Sequence, residues 1–271
     1  GIAASMAGGL VGNFGSMTKP YQAGRAAQNG IQAARLARAG MTAAPDALEH
    51  EQGFLQAFSP GGRVARDGSI AGQGTLHILK QGLNIKRYPM CYSTHRVIDA
   101  ALAFTAEFGL VPEAVREVLV VMGRAESVPL RQHRPRLPLE AKFSAEFAVA
   151  AALAAGRVTM KELTEPFVMS PPVQAIIPKV SITLVDDVDP ENPLHAPYNL
   201  IEVVLTDGRR WRSDPVRHPR GHARQPIPLS ELQEKFLDCA APALGVAAAR
   251  TLFERLCGLE RLEAVTDIYP T

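Results

Sequence analysis

The chain has 271 residues, enough for one large domain or two small ones, and 46% of them are hydrophobic and 21% charged, as in soluble globular proteins. No apolar run reaches the roughly 18 residues that a membrane-spanning helix needs, and a net charge of +2 provides no general attraction to nucleic acid or membranes. Cys91, Cys239 and Cys257 are widely spaced and form no CxxC pair, which indicates reduced thiols in a cytoplasmic protein.

The N-terminal part is predicted to be helical. The chain opens on a run of small residues typical of a helix interior and lacks the pattern of a signal peptide, so we expect a piece of a longer protein. A glycine-marked turn carrying Thr18 and Lys19 leads into a predicted helix over residues 22–39, which Gly40 ends. A second helix is predicted over residues 42–58.

Helices and strands alternate after the glycines at 72 and 74. The periodicities predict a helix over 95–108 capped by Ser93 or Thr94, strands over 117–122 and 180–185, a helix over 140–155, and a hairpin over 200–213 that turns at Asp207-Gly208. Together these elements predict a compact α+β unit between residues 83 and 217.

The last part of the chain returns to helices. A basic linker over residues 217–224 precedes a helix with Ser230 as its N-cap and a final helix over residues 245–256. The order of elements predicts an α+β fold in three segments. A helical domain comprises residues 1–82 and 218–271, and an α+β domain of residues 83–217 is inserted between them.

Four stretches resemble the MmgE/PrpD family, which includes 2-methylcitrate dehydratases, cis-aconitate decarboxylases and iminodisuccinate epimerases. They are Asn-Phe-Gly-Ser-Met-Thr-Lys-Pro (13–20), Ala-Gly-Arg-Ala-Ala-Gln-Asn-Gly (23–30), Lys-Arg-Tyr-Pro-Met-Cys-Tyr-Ser-Thr-His-Arg (86–96) and Glu-Ala-Lys-Phe-Ser (140–144). The resemblance runs over essentially the whole chain and is specific for the family but not for the substrate.

The resemblance implies a lyase or isomerase of carboxylic acid metabolism, such as propionate metabolism. Its substrate is a small di- or tricarboxylic acid, and its reaction is dehydration, decarboxylation or epimerisation next to a carboxylate. It also implies a homodimer that, as in the decarboxylase and epimerase branches, needs no metal or organic cofactor. The near-balanced charge and the lack of a long apolar run predict that the chain binds neither nucleic acid nor membrane. Family members are longer, so the chain is expected to match their C-terminal portion only, with part of the helical domain missing and the α+β domain acting as a lid.

The resemblance also implies site residues. Lys19 and Lys86 match the two lysines that line the family's cleft, where cations hold substrate carboxylates and a fixed ammonium stabilises developing negative charge. His95 is the candidate acid or base. Thr18, Arg87, Cys91 and Lys142 are the further residues expected to bind substrate, together with the two lysines.

Two positions depart from the family pattern. Cys91 stands where decarboxylase relatives carry histidine, and Gln22 stands where many relatives carry histidine. Both departures argue against decarboxylation of cis-aconitate.

Less specific interpretations remain open for each candidate. Lys19 fits a solvated residue of a tight loop between packed helices, and Lys142 fits a solvated first-turn residue. His95 fits a capping or packing role, and Cys91 fits a small buried thiol better than a nucleophile. His218 and His222 lie four residues apart in a Pro/Gly segment, which makes a zinc site there improbable.

Two other functions remain open for the whole chain. One is a noncatalytic fragment or subunit that needs a partner supplying the missing helical half. The other is a stand-alone acid-binding protein.

Overall fold

The computed structural model describes residues 1–59, 61, 64, 74, 76–109, 111–192 and 194–268, and the chain divides into two units, Gly1–Gly82 and Leu83–Thr271. Each unit is described by itself. The predicted glycine punctuation at residue 72 lies outside the described residues. None of the helices in the described ranges is long and apolar enough to cross a membrane.

The first unit contains helices and turns in its described part. Its helices are α1 (Ile2–Ser5), α2 (Thr18–Arg38), α3 (Phe54–Ala57) and α4 (His77–Gln81). The long helix α2 starts four residues earlier than predicted, because Pro20 falls in its first turn, where a missing N–H costs no hydrogen bond. Thr18 and Lys19 are therefore the first two residues of α2.

The helix predicted over residues 42–58 is wrong for most of its length. Residues 45–52 form turns, and only Phe54–Ala57 is helical. Gly53 donates a hydrogen bond to the carbonyl oxygen of His50, and Phe54 donates one to that of Ala47. A Cβ on Gly53 would lie 2.8 Å from the Ala47 oxygen, so the tight turn depends on this glycine.

The second unit combines eight helices with one sheet in its described part. The helices are α5 (His95–Phe108), α6 (Arg124–Ser127), α7 (Pro138–Ala141), α8 (Ala145–Ala155), α9 (Glu165–Val168), α10 (Pro171–Ile176), α11 (Leu229–Leu244) and α12 (Val246–Cys257). The strands are β1 (Val115–Gly123), β2 (Val180–Val185), β3 (Leu200–Leu205) and β4 (Arg210–Arg212). The mixture of helices and strands agrees with the predicted α+β class.

The sheet has the strand order β2-β1-β3-β4. The strand β1 pairs in parallel with β2 and antiparallel with β3, and β3 pairs antiparallel with β4. The predicted hairpin is confirmed, because β3 and β4 flank Asp207-Gly208 and Gly208 has a φ of +88°. Helix α5 packs on α8 and β3, so the buried core lies between these helices and the sheet.

Three boundaries differ from the sequence prediction. The helix predicted over residues 140–155 is split, because Ser144 accepts a hydrogen bond from the Phe147 N–H and caps α8 as a new helix. Thr94 occupies the N-cap position of α5, but its hydroxyl donates to the Cys91 carbonyl oxygen instead of capping. Ser230 lies inside the first turn of α11, whose N-cap is Pro228.

The three predicted domain segments stay a prediction. Residues 83–217 and 218–271 both fall within the second unit.

Candidate functional site

In the first unit, Lys19 and Thr18 lie at the N-terminus of α2. The Lys19 ammonium sits over the Phe14 ring, 5.6 Å from its centroid. Thr18 and Gln22 line an open groove with a volume of about 530 Å³. The Gln22 amide donates a 3.4 Å hydrogen bond to the Leu10 carbonyl oxygen, which holds the preceding segment against the helix. The positive end of the α2 dipole adds to the charge of Lys19.

In the second unit, the segments that carry three of the predicted binding residues meet at one place, which we call the patch at Cys91. The Lys86 ammonium donates a 3.1 Å hydrogen bond to the Met90 carbonyl oxygen, which folds the lysine back over its own segment. The Cys91 N–H donates a 2.9 Å hydrogen bond to the carbonyl oxygen of Lys142. The two stretches of the family pattern that carry Lys86 and Lys142 therefore meet at Cys91, which is half-buried.

The guanidinium of Arg87 is paired with carboxylates of α11. It donates a 3.1 Å hydrogen bond to Glu231 and lies 3.6 Å from Glu234. Arg220 also donates to the same Glu231 oxygen. The structure thus places Arg87 in an ion-pair network, and its predicted role in substrate binding stays a prediction.

His95 is fully buried at the start of α5. Its ring lies 5.1 Å from the ring of Tyr88 and 5.1 Å from that of Tyr92. Burial, and to a lesser extent the Lys86 ammonium, lowers the pKa of His95 to about 3. The carbonyls of Met90 and Tyr88 favour the protonated ring, but they raise the pKa by less than burial lowers it. Neither ring nitrogen is aligned for a hydrogen bond with any described residue.

The burial of His95 restricts the chemistry predicted for it. A buried neutral imidazole can act as a base only on a group that reaches it. The position matches the packing interpretation, and the catalytic role of His95 stays a prediction.

A half-buried acid that the sequence reasoning missed anchors the segment before α5. Asp99 accepts hydrogen bonds from the Tyr88 hydroxyl at 2.5 Å and from the Arg220 N–H at 2.7 Å. Burial raises the pKa of both Tyr88 and Asp99. The signal was an aspartate within the apolar periodicity of residues 95–108.

The basic linker, residues 217–224, is bound to the segment that carries Lys86. The Ile85 N–H donates a 2.7 Å hydrogen bond to the Gly221 carbonyl oxygen, and the Ala223 N–H donates to the Asn84 side chain. Gly221 has a φ of +90°, and a Cβ there would lie 2.0 Å from the Ile85 oxygen. Only glycine fits this contact without a shift of the backbone.

The two histidines of this linker stack on one another. The rings of His218 and His222 lie 4.3 Å apart, and burial and nearby arginines lower the pKa of both. Among the described side chains, no group of three His, Cys, Asp or Glu residues could hold a metal ion.

Comparison with known families follows the division of the chain. The model of the MmgE/PrpD C-terminal domain matches residues 88–257, which is more than half of the chain. The chain belongs to the MmgE/PrpD family. The model of the MmgE/PrpD N-terminal domain matches residues 1–67, so the expectation of a C-terminal portion only is wrong. The first helices, including α2 with Thr18 and Lys19, lie within the N-terminal domain match.

Characterised relatives of this MmgE/PrpD chain include cis-aconitate decarboxylases. This chain is 31% identical to the cis-aconitate decarboxylase of Homo sapiens, over 97% of this chain and 54% of the relative. It is 29% identical to that of Mus musculus over 98% of this chain and 55% of the relative, and 26% identical to that of Aspergillus terreus over 100% and 57%. The chain spans about half the length of these relatives.

Proposed function

We propose that this chain is part of an MmgE/PrpD lyase or isomerase that acts on a small di- or tricarboxylic acid, with Lys19 of the first unit and Lys86 of the second unit as its substrate-binding residues. Family membership and the similarity to cis-aconitate decarboxylases support a lyase acting on a tricarboxylic acid. The observation that carries the binding role is the patch at Cys91, where the segments of Lys86 and Lys142 meet.

The physical chemistry of such substrates requires cations. A carboxylate that leaves water needs charge-assisted hydrogen bonds in return, and an ammonium supplies up to three donors. Loss of a group or a proton next to a carboxylate leaves enolate-like negative charge, which a fixed lysine stabilises without reorganisation. Lys19 and Lys86 are each a candidate for this role.

The proton transfer needs a base in reach of the reacting carbon. His95 is the candidate from this chain, and the additional length of the relatives leaves room for a base outside it. Gln22 and Cys91 stand where histidine was expected, which argues against decarboxylation of cis-aconitate, and the Thr-Lys-Pro pattern fits the 2-methylcitrate dehydratase branch less well, so the reaction stays open among dehydration, decarboxylation and epimerisation. The same proposal includes a homodimer and a cytoplasmic location. It also includes a helical domain that is completed outside this chain, with the α+β part as its lid.

The test is a substrate screen with the chain. Citrate, 2-methylcitrate, cis-aconitate and iminodisuccinate would be incubated with the wild type, Lys86→Ala and Lys161→Ala, and products read by NMR. We expect turnover of one acid that Lys86→Ala abolishes and that Lys161→Ala, a change at an exposed lysine, preserves. Retained turnover in Lys86→Ala would remove Lys86 from the site.

A second candidate function is a noncatalytic subunit that needs a partner. It predicts that the chain binds one of these acids without converting it.

A further inference from the structure

Five side chains form a polar cluster inside the second unit, outside the patch at Cys91. Tyr92 lies in the 3-10 turn that precedes α5 (Tyr92–Thr94), Arg96 lies in the first turn of α5, Glu126 in α6, and His195 and Asn199 in the loop before β3. We call these residues the Arg96 cluster. Arg96 is 7%, Glu126 3% and Asn199 0% exposed, whereas Tyr92 and His195 are half-buried with their polar atoms shielded from solvent.

The contacts of Arg96 hold the cluster together. Its Nη1 donates a 2.7 Å hydrogen bond to the Ala196 carbonyl oxygen and lies 3.7 Å from Glu126 Oε2. Glu126 Oε1 accepts a 3.0 Å hydrogen bond from the Gly123 N–H. The rings of Tyr92 and His195 meet edge to face at 6.2 Å. The start of α5, the end of β1 and the loop before β3 thus converge on one guanidinium.

The cluster contains most of the unsatisfied buried polar atoms in the part of the chain that the structure describes. Those without an aligned partner are Tyr92 Oη, Glu126 Oε2, both ring nitrogens of His195, both amide atoms of Asn199, and both ring nitrogens of His95. Asn199 lies near enough to Glu126 to favour its ionised form, but the two groups are not aligned for a hydrogen bond. All but the two His95 atoms belong to the Arg96 cluster.

So many unsatisfied atoms cannot stay without partners in a stable fold. Each buried donor or acceptor without a partner carries a desolvation penalty, and the sum over this cluster would be comparable to the whole free energy of unfolding of an ordinary domain. Buried polar groups in native proteins are almost always satisfied by protein or by ordered water. The cluster therefore requires a bound molecule that makes hydrogen bonds to these atoms.

The hydrogen-bonding character of the unsatisfied atoms indicates which kind of molecule binds there. A neutral imidazole offers one donor and one acceptor, and an amide and a phenol also offer both kinds. An anion only accepts and a metal cation only binds acceptors, so either would leave half of these atoms unsatisfied. Burial lowers the pKa of His195 to about 4, so its ring is neutral and offers one donor and one acceptor. Water, which both donates and accepts, fits the set.

We propose that the Arg96 cluster is an internal hydration site that binds about two water molecules, since a buried water makes about three hydrogen bonds. These waters bridge Tyr92, in the 3-10 turn before α5, to His195 and Asn199 in the loop before β3. The site fixes this turn, which directly follows the segment of Lys86 and Cys91. It stands on the geometry of the cluster and holds whether or not the proposed enzymatic function does.

The direct test is a high-resolution crystal structure of this chain. We expect ordered waters within hydrogen-bond distance of Tyr92 Oη, a His195 ring nitrogen and the Asn199 amide. Direct hydrogen bonds among these side chains, with no water between them, would overturn the proposal.

A solution measurement keeps the proposal falsifiable. Magnetic relaxation dispersion of water counts molecules with long residence times, and Asn199→Leu should lower that count by one or more. Asn192→Leu, at an exposed asparagine of the same loop region, should leave it unchanged. Tyr92→Phe, which deletes only the hydroxyl, should lower the count as well, so a misfolded Asn199→Leu does not decide the outcome. An unchanged count in Tyr92→Phe contradicts the proposal.

Discussion

The buried ring of His95 should make the unfolding free energy of this chain depend on pH. Its pKa is lowered to about 3 in the folded chain, mainly by burial, from the ordinary value of 6.5. Because the unfolded ring has the higher pKa, the unfolded chain binds one more proton between about pH 3 and 6.5. Stability is therefore fully present above about pH 6.5 and is lost as the pH falls through this window.

The magnitude follows from the width of the window. At 1.36 kcal/mol per pH unit, acidification from pH 7 to pH 5 removes about 2 kcal/mol of stability through this one ring. Replacement by phenylalanine keeps a ring between Tyr88 and Tyr92 but removes the titration. His95→Phe should consequently lose about 2 kcal/mol less than the wild type over the same pH step.

Urea unfolding at pH 7 and pH 5, followed by circular dichroism, measures this difference. His50→Gln, at an exposed histidine of the first unit, serves as the control and should follow the wild type. An identical pH dependence in the wild type and His95→Phe would refute the reasoning, because it would mean that the ring titrates alike in both states.

Two further predictions concern the fold around the site. Gly221→Ala should lower the unfolding free energy by about 2 kcal/mol or more, because the position combines a φ of +90° with a close contact to the Ile85 oxygen. Gly208→Ala, at a φ of +88° with open space around it, should lower it by only about 1 kcal/mol. Equal losses for the two variants in chemical denaturation would show that the contact at Gly221 relaxes. Phe147→Ala should cost about 3–5 kcal/mol because its ring is fully buried, and Phe58→Ala, at 55% exposure, should change stability by less than about 0.5 kcal/mol. A similar midpoint for both phenylalanine variants would contradict the assignment of the core.

Local sequence patterns predicted the elements whose formation depends on their own residues. The helix over residues 95–108 was confirmed because its apolar face repeats at helical spacing and Gly109, with a φ of +75°, ends it. The hairpin was confirmed because Asp207-Gly208 specifies its turn. The parallel pairing of β1 with β2 was not predicted, since about sixty residues separate the two strands and no local signal encodes their pairing.

Predictions failed where a close tertiary approach decides the backbone. The turns around Gly53 replace a predicted helix because that glycine meets the Ala47 carbonyl. At the patch at Cys91, the sequence predicted the residues of the candidate site but not their arrangement. The family pattern identified Lys86 and Lys142, but only the fold shows that their segments meet through a main-chain hydrogen bond. The burial of His95, Glu126 and Asn199 was also out of reach, because polar residues carry no local signal of burial.

The central claim is that this chain carries lysines that hold a small polycarboxylate, and calorimetric titration with cis-aconitate tests it most directly. The wild type should bind the acid, and Lys19→Ala and Lys86→Ala should each weaken binding about 10- to 100-fold, the range expected for one charge-assisted hydrogen bond. Lys80→Ala and Lys161→Ala, at exposed lysines, should bind like the wild type. Equal affinity in all five proteins would contradict the account.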